Sequence, residues 1–440
     1  MIFDLRLGHS YEKYFPVFLI KFLFTGFLYS FMISSGDAQH CLSQKMLNVQ
    51  AASHNNVADY RAELETRTLD WIEKSRQAIS FRELQTIEVV VHVVWNQTDE
   101  MISEEQVLSQ IEVLNEDYRM LNASLNLVTF PLFLDIAADM EIEFKLATID
   151  PSGNPTNGIH YVHTDIPNIA SKYSAGMRRI CHEDLGGADA WCYHNYLNIW
   201  VGGFDGGVIG EASFPGQEIN HPEEDGIRIA PGVFGRTPNL QEPYHLGRTL
   251  THEVGHFFNL LHLWGESDDD PPNLDCTGDD GVADTPKQAF TYKNTCFSSI
   301  HQSCGTPDMH FNFMNYTDDA CMAMFTQGQK LRVWASIQLS RSALLNPSGC
   351  SVATQNLTLP AGVKIFPNPV VDELQINLAT EVTNGLTLEI FDISGQRIFG
   401  NIFLKTGNNS LSLGNLKNGL YIVKISDDEY SGIEKIAVIH

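Results

Sequence analysis

The sequence predicts an α+β domain followed by a small all-β sandwich, and three observations carry that prediction. "IEVVVHVVW" (87–95) is a run dominated by β-branched residues, the texture of a strand buried on both faces. Around it, short alternating segments are interspersed with stretches whose apolar residues recur at helical spacing. From Val363 the texture changes: "VKIFPNPVVDELQINL", "LTLEIFDISGQRI", "NSLSLGNLKNGLYIVKI" and "GIEKIAVIH" alternate apolar and polar residues between Gly and Asn turns, as sandwich strands do. A chain of 440 residues is long enough for two or three domains.

The elements follow in order. Lys21 precedes the apolar "FLFTGFLYSFMI" and the small, polar "SSGDAQ", the layout of an export signal over residues 1–38 with cleavage after Ala38. Its apolar core is shorter than the ~20 residues a bilayer span needs, so no stable membrane span is expected after processing. Residues 39–84 are polar and helix-prone, with "ADYRAELETRTLDWIEKSRQAI" as the best helical run. They are assigned as a pro-segment, the alternative being a first helix of the main domain. The main domain is placed at 85–345. After strand 87–95, "SEEQVLSQIEVLNEDYRML" opens on a capping box of Ser103 and Gln106 and carries Val107, Ile111, Leu114, Tyr118 and Leu121 on one face. "DMEIEFKLATI" (139–149), "YLNIWVGGF" (196–204), "GEASFPG" (210–216) and "DGIRIAP" (225–231) read as strands, with Pro215 suited to a sheet edge. "GRTLTHEVGHFFNLL" is helical, and "FTQGQKLRVWASIQLSRSALL" is a last helix with Thr326 as its N-cap. A linker (346–361) leads to the sandwich (362–440), which contains no Cys and no His–acid cluster and so shows no catalytic chemistry of its own.

Charge narrows the function classes. With 28 basic against 54 acidic residues, a net of -26, nucleic acid and anionic membranes are poor partners. A secreted protein fits, and its acidic clusters could hold calcium. Eight cysteines (Cys41, Cys181, Cys192, Cys276, Cys296, Cys304, Cys321 and Cys350) behind an export signal should mostly pair. Spacing alone does not set their connectivity; Cys181 and Cys192 could form a local bridge.

The chemistry lies in "THEVGHFFNLLHLWG" (251–265), an H-E-x-x-H-x-x-N-x-x-H pattern. On a helix, His252 and His256 are one turn apart on one face, spaced as two ligands of one tetrahedral zinc. Glu253 is rotated by roughly 100° from His252. It can therefore reach the metal's water without ligating the ion, the position of a general base. His262 is the third histidine, and a straight helix would turn it away, so the chain must reverse between His256 and His262. Asn259 stands where a glycine is expected. Asn is the next most tolerant residue of the left-handed conformation, so the turn remains feasible.

Here the sequence resembles the metzincin zinc peptidases and, within them, the pappalysin-type (ulilysin- and cytophagalysin-like) family. The resemblance spans roughly residues 87 to 340 and rests on "VVVHVVWN", "LNEDYRMLN", "YLNIWV", "ASFPG", "HEVGHFFNLLHLWG", "DDGVADTP" and "FMNYTDDACMAMFT". It implies a metzincin-like fold, a twisted mixed sheet with helices and a zinc helix. Met314 would be the methionine beneath the zinc ligands, and Tyr316 a tyrosine that stabilises the oxyanion. "GEASFPG" would be the rim strand that pairs antiparallel with bound substrate. The resemblance also implies disulfides Cys276–Cys304 and Cys296–Cys321, calcium near Asp280, Asp284 and Thr285, and a pro-segment cysteine, Cys41, able to block the zinc as a thiolate. "HCLSQKM" lacks the arginine-rich surroundings usual for such a cysteine. The C-terminal segment, through "FPNPVVDELQI", "IFDISGQRI" and "LKNGLYIVKI", resembles the sorting domain of the type IX secretion system. That implies export across an outer membrane, with the secretion machinery as a partner.

The expectation is therefore a secreted zinc endopeptidase acting on proteins or peptides. The alternative is a non-catalytic binding protein on the same fold, which predicts loss of Glu253 or of a ligand; none is lost. A glutamate third ligand would have to be Glu266, which follows His262 too closely. The substrate pocket wall is expected near residues 308–325.

Overall fold

The computed structural model describes residues 41–75, 84–128, 131–237, 240–265, 275–293, 296, 299–345, 359, 362–379, 386–392, 397–426 and 431–440. The expected export signal, Glu266, Cys350 and the linker other than Leu359 lie outside them. No described helix is long and apolar enough to cross a membrane.

The chain begins with helices α1 (Ser43–Ser53) and α2 (Asn55–Ser75), followed by strand β1 (Gln85–Trp95) and helices α3 (Glu104–Tyr118) and α4 (Pro131–Leu134). Strands β2 (Ile142–Leu146) and β3 (Ile159–His163) come next, then a hairpin of β4 (Tyr173–Ser174) and β5 (Met177–Arg178). Then come β6 (Leu197–Val201), β7 (Gly210–Ala212), β8 (Ile227–Ile229), α5 (Arg248–Phe257) and α6 (Gln327–Ser340). A six-stranded mixed sheet runs β2-β1-β6-β8-β7, with β3 also paired to β1. β1 is parallel to β2, β3 and β6, and β6 to β8; β7 is antiparallel to β8 and forms the edge. Ile87 through Val94 are all buried, Glu88 and His92 among them, which is why the run is rich in β-branched apolar residues on both faces. β1 is long enough to take β2 along Gln85–Val89 and β3 along Val91–Trp95. The sequence reading missed β3: "IHYVH" is five residues of mixed polarity, mostly exposed, and carries no clear period.

Three local expectations change. Ser103 accepts a bond from the Gln106 N–H, but the Gln106 amide turns away to donate to Pro231 O and Phe234 O, so the capping box is half made. Leu121 is 71% exposed, because α3 stops at Tyr118 and Met120 turns the chain at φ 55°. Pro215 lies in a turn beyond β7 rather than in the strand, before Gly216 at φ 77°. At α6, Thr326 caps as expected and shares a full capping box with Gln329.

One apolar core joins the sheet to three helices. Val107, Ile111 and Leu114 of α3, Leu250, Val254 and Phe257 of α5, and Val333 and Ile337 of α6 all belong to it. C-terminal to it, two antiparallel sheets share a separate apolar core built on Leu374, Ile376, Leu388, Ile390, Val423 and Ile425. One contains β9 (Val363–Phe366), β10 (Glu373–Leu378) and β13 (Gly407–Ser412). The other contains β11 (Thr387–Asp392), β12 (Arg397–Phe403), β14 (Gly419–Ser426) and β15 (Ser431–Val438).

Arg341, just past α6, ties the last turn of α5 to the sheet edge. Its Nε donates to Phe257 O (2.9 Å) and its guanidinium lies 3.4 Å from the centroid of the Phe257 ring. The other nitrogens pair with the carboxylate of Asp225 and reach Ser213 O. Arg341→Met keeps the aliphatic stem but leaves Asp225 and two carbonyls without a donor. Removing one partner of a largely buried ion pair should cost about 3 kcal/mol, seen as a lower urea midpoint in equilibrium unfolding.

Candidate metal centre and cleft

α5 presents His252 and His256 on one face, and both are buried. His252 Nδ1 lies 2.7 Å from Phe313 O, and His256 Nδ1 lies 2.7 Å from Leu260 O. A carbonyl only accepts, so each Nδ1 carries the proton and each Nε2 is a bare lone pair. Those lone pairs point at each other at 3.0 Å, and His262 Nε2 joins them at 3.2 and 3.1 Å. Such a convergence is repulsive unless a cation sits between the nitrogens. Three ligands of one tetrahedral zinc lie about 3.3 Å apart, so the donor set fits that ion. Burial pushes the His252 pKa down to about 4 and those of His256 and His262 well below the usual imidazole range, which keeps all three neutral as ligation requires.

The chain returns to the centre through Asn259. α5 ends at Phe257, Asn259 takes φ 71°, and Leu260 N bonds back to Gly255 O (2.9 Å). His262 then stacks on Trp264, ring centroids 4.6 Å apart. Arg332 Nε donates to Asn259 O (2.8 Å), so α6 anchors the reversal.

Met314 is fully buried beneath α5. A methyl group built at Gly255 would meet Met314 Sδ at 2.4 Å, so the sulfur packs where only glycine leaves room. The ring of Tyr316 sits 5.7 Å from that of His252 and 4.8 Å from that of His262. A cleft beside the histidines is lined by residues that include Ile209, Tyr244, Asn315, Tyr316, Thr317 and Met322, several of them within the expected wall at 308–325. Glu253 is buried and faces β7, where a methyl at Gly210 would come within 2.7 Å of its Oε1. Burial pushes the Glu253 carboxyl up to about 7, against the pull of bonds from Ser43 and Cys41.

Residues 41–75 cover this centre. The Cys41 Sγ and the three imidazoles offer ligand atoms all within 4.8 Å of one another. Ser43 Oγ donates to Glu253 Oε2 (2.7 Å) and accepts from Ala212 N (2.8 Å), while Leu42 N donates to Gly210 O (3.1 Å). Cys41 bridges Gly210 in the parallel sense. On α2, Arg61 donates to Asn259 Oδ1 (2.5 Å) and Glu65 accepts both terminal nitrogens of Arg332. Leu47 and Val57 pack on Phe214 and Leu261. Sequence reasoning found Cys41 but missed Ser43, Arg61 and Glu65, because polar residues on an amphipathic helix give no sign of what they face.

The remaining candidates are spread along the loop after the motif. Cys276 pairs with Cys304, and Cys296 with Cys321. The local Cys181–Cys192 bridge is not formed: Cys181 is a buried free thiol, and Cys192 is disulfide-bonded to a different partner. Asp280 is buried and accepts from Thr285 Oγ1 and Val282 N. Asp284 accepts from Thr326 Oγ1 (2.6 Å) and Gly328 N (2.8 Å), so its carboxylate adds a second cap to the first turn of α6.

The chain is similar to known proteins. Residues 183–338 match the peptidase family described as pregnancy-associated plasma protein-A, and residues 364–439 match the secretion system C-terminal sorting domain. An extracellular metalloprotease of Arthroderma benhamiae is 29% identical over 58% of this chain and 79% of its own. Among solved structures, a mutant promirolysin of Tannerella forsythia is 34% identical with TM-score 0.58, covering 70% of this chain and 97% of its own. Mature mirolysin of the same organism, in complex with a cleaved peptide, is 39% identical with TM-score 0.53, covering 60% and 96%. The fold and the histidine cluster thus define a secreted metalloendopeptidase whose family implies zinc. The chain belongs to the pappalysin-type metallopeptidases and ends in a type IX secretion sorting domain.

The start of α5 is held by Asp319, whose Oδ2 accepts from Leu246 N (2.8 Å) and Arg248 N (3.2 Å). Burial pushes this carboxyl up from near 3.8 to about 6, against the pull of those bonds. Since the folded value exceeds the unfolded one, its contribution to stability is complete below the unfolded value and is lost as pH rises through about 6. Asp319→Asn keeps an acceptor without a charge. Between about pH 3 and 7, wild type should lose about 3 kcal/mol relative to the variant, measured by denaturant unfolding at each pH.

Proposed function

We propose that His252, His256 and His262 hold the zinc of this peptidase and that Glu253 is its general base. The observation that carries the reading is the convergence of three Nε2 atoms, two of them bare because their Nδ1 protons are fixed on carbonyls. Zinc at this point supplies Lewis-acid polarisation and acidified water. Glu253 takes a proton from the attacking water and delivers it to the departing amine nitrogen. Tyr316, whose ring lies beside those of His252 and His262, donates to the carbonyl oxygen as negative charge grows there. The substrate lies extended along β7 once residues 41–43 have left it, taking up Gly210 O and Ala212 N.

Residues 39–84 are read as the pro-segment, 85–345 as the peptidase domain, 346–361 as the linker and 362–440 as the sorting domain. Residues 41–43 occupy the β7 edge in the direction opposite to that expected of substrate, with Cys41 aimed at the histidines. This supports a thiolate on the zinc in the latent enzyme. The greater coverage by promirolysin than by mature mirolysin points the same way. Calcium belongs to the same proposal: burial pushes the Asp280 carboxyl up to about 7, and a hard cation held by Asp280, Asp284 and Thr285 would offset that cost. The sorting domain addresses the chain to the type IX machinery.

Glu253→Ala should lower peptide hydrolysis by roughly 10²–10⁴-fold with zinc content unchanged; hydrolysis at the wild-type rate in the metal-loaded variant would sink the mechanism. Cys41→Ala in the full chain should give peptidase activity before any cleavage of residues 39–84. If the uncleaved variant is as latent as wild type by activity assay and gel, Cys41 is not the switch.

A further inference from the structure

β7 is three residues long and has a strand neighbour, β8, on one side, with only the bridge from residues 41–43 on the other. Its inward neighbours make the sheet bonds: Ala230 N donates to Ile209 O (2.9 Å) and Ser213 N to Gly226 O (2.9 Å). Its outward groups, Gly210 O and Ala212 N, are those taken by Leu42 and Ser43. So short an edge strand has little holding power of its own. Between the outward groups, Glu211 turns its side chain into the protein, where it is 1% exposed. Its Oε1 accepts from Arg178 Nη2 (2.7 Å), carried by the β4–β5 hairpin, and from Arg228 Nη2 (3.0 Å), on β8.

The network extends along the rim. Arg178 Nη1 also pairs with Glu218 Oε1 (2.9 Å) and Glu224 Oε2 (3.0 Å), and Arg228 Nη1 donates to Ser213 Oγ (3.0 Å) and Glu224 O (2.8 Å). His182 Nε2 lies 2.8 Å from Glu224 Oε1. Two buried guanidiniums thus hold the strand and the turn after it from below. They also hold the Glu211 carboxyl below its usual range despite full burial, whereas burial pushes that of Glu218 up.

We propose that Arg178, Glu211 and Arg228 are positioning residues for the peptide substrate: they fix the level of β7 so that Gly210 O and Ala212 N meet an extended backbone. None of the three is hydrogen-bonded to a zinc ligand or lines the cleft, and the charges of Glu211 and Arg228 act on Glu253 in opposing senses, so their direct hold is on the backbone of β7. The inference rests on the reading of β7 as the substrate rail, and it assigns the rail its support.

The test uses mature zinc-loaded enzyme and an extended, unstructured peptide substrate, with kcat, KM and zinc content measured for Ala212→Pro and Glu211→Gln. Ala212→Pro removes the outward N–H without touching the network and should raise KM about tenfold, the value of one backbone hydrogen bond. Glu211→Gln should raise KM by a similar roughly tenfold factor while kcat and zinc content hold. If Ala212→Pro leaves KM unchanged, the rail reading itself is wrong. If Ala212→Pro raises KM and Glu211→Gln does not, or Glu211→Gln lowers only kcat, the rail stands and the positioning role is overturned. Should Glu211→Gln not fold, Arg228→Lys, which keeps the charge but withdraws the fork, must show the same KM shift at constant kcat; an unchanged KM there overturns the proposal.

Discussion

The reversal of the chain at Asn259 is the constraint on which the centre depends. α5 sets two imidazoles by helical geometry alone, but the third arrives only because the backbone enters the left-handed region one residue before the return begins. That conformation costs Asn roughly 1 kcal/mol or less, below the 1–2 estimated for ordinary residues. The surroundings fix it further: Leu260 N closes on Gly255 O, and Arg332 on α6 holds Asn259 O. The turn is therefore gripped from the helix it leaves and from the helix behind it. Met314 packs closely under Gly255 and forms the floor of the centre.

Around that point, polar groups of the centre are buried beneath residues 41–75. Glu253 meets Ser43 and Cys41 rather than water, and the outward bonds of β7 are already made. The same edge that would carry a substrate thus carries the chain's own N-terminal segment in the opposite direction. A peptide held in reverse presents its bonds to the centre with amide and carbonyl exchanged, so occupancy of the edge and protection from hydrolysis are compatible. Burial acts on the titratable groups in one consistent sense: imidazoles are kept neutral and the Glu253 carboxyl is raised.

Much of this was legible in the sequence because it follows from short-range geometry. The i, i+4 histidines, the left-handed requirement at 259 and the β-branched run of β1 are each set by a backbone period or a single residue's conformational range. The turn chemistry at Thr326 is local in the same way. What the sequence hid is long-range. β3 has five residues and is selected only by the free half of β1. Gln106 abandons its capping role for carbonyls more than a hundred residues away. Arg178 and Arg228 look like ordinary surface cations until the fold buries them against Glu211. Cys181 looked like the neighbour of Cys192, but a thiol enclosed with Ile169, Ile180 and Trp200 has nothing to pair with there.

Asn259 also shows why a substitution away from glycine can bring a contact as well as a penalty. Glycine would adopt φ 71° without strain, yet it would present only a backbone. The asparagine amide adds an acceptor, and Arg61 of α2 uses it, while Glu65 one turn later holds Arg332. A bond from a charged donor is worth roughly 1.5–3 kcal/mol when buried, more than the conformational cost of Asn at this position, and solvent near Arg61 reduces the difference. The side chain that replaces glycine therefore links the turn before His262 directly to the helix that covers it. Arg332 completes the loop: it bonds Asn259 through its carbonyl and α2 through Glu65, so the turn, α6 and α2 share one set of hydrogen bonds. Displacing α2 would leave the Asn259 amide oxygen and two Arg332 nitrogens to find water, which couples the covering segment to the geometry that brings His262 against His252 and His256.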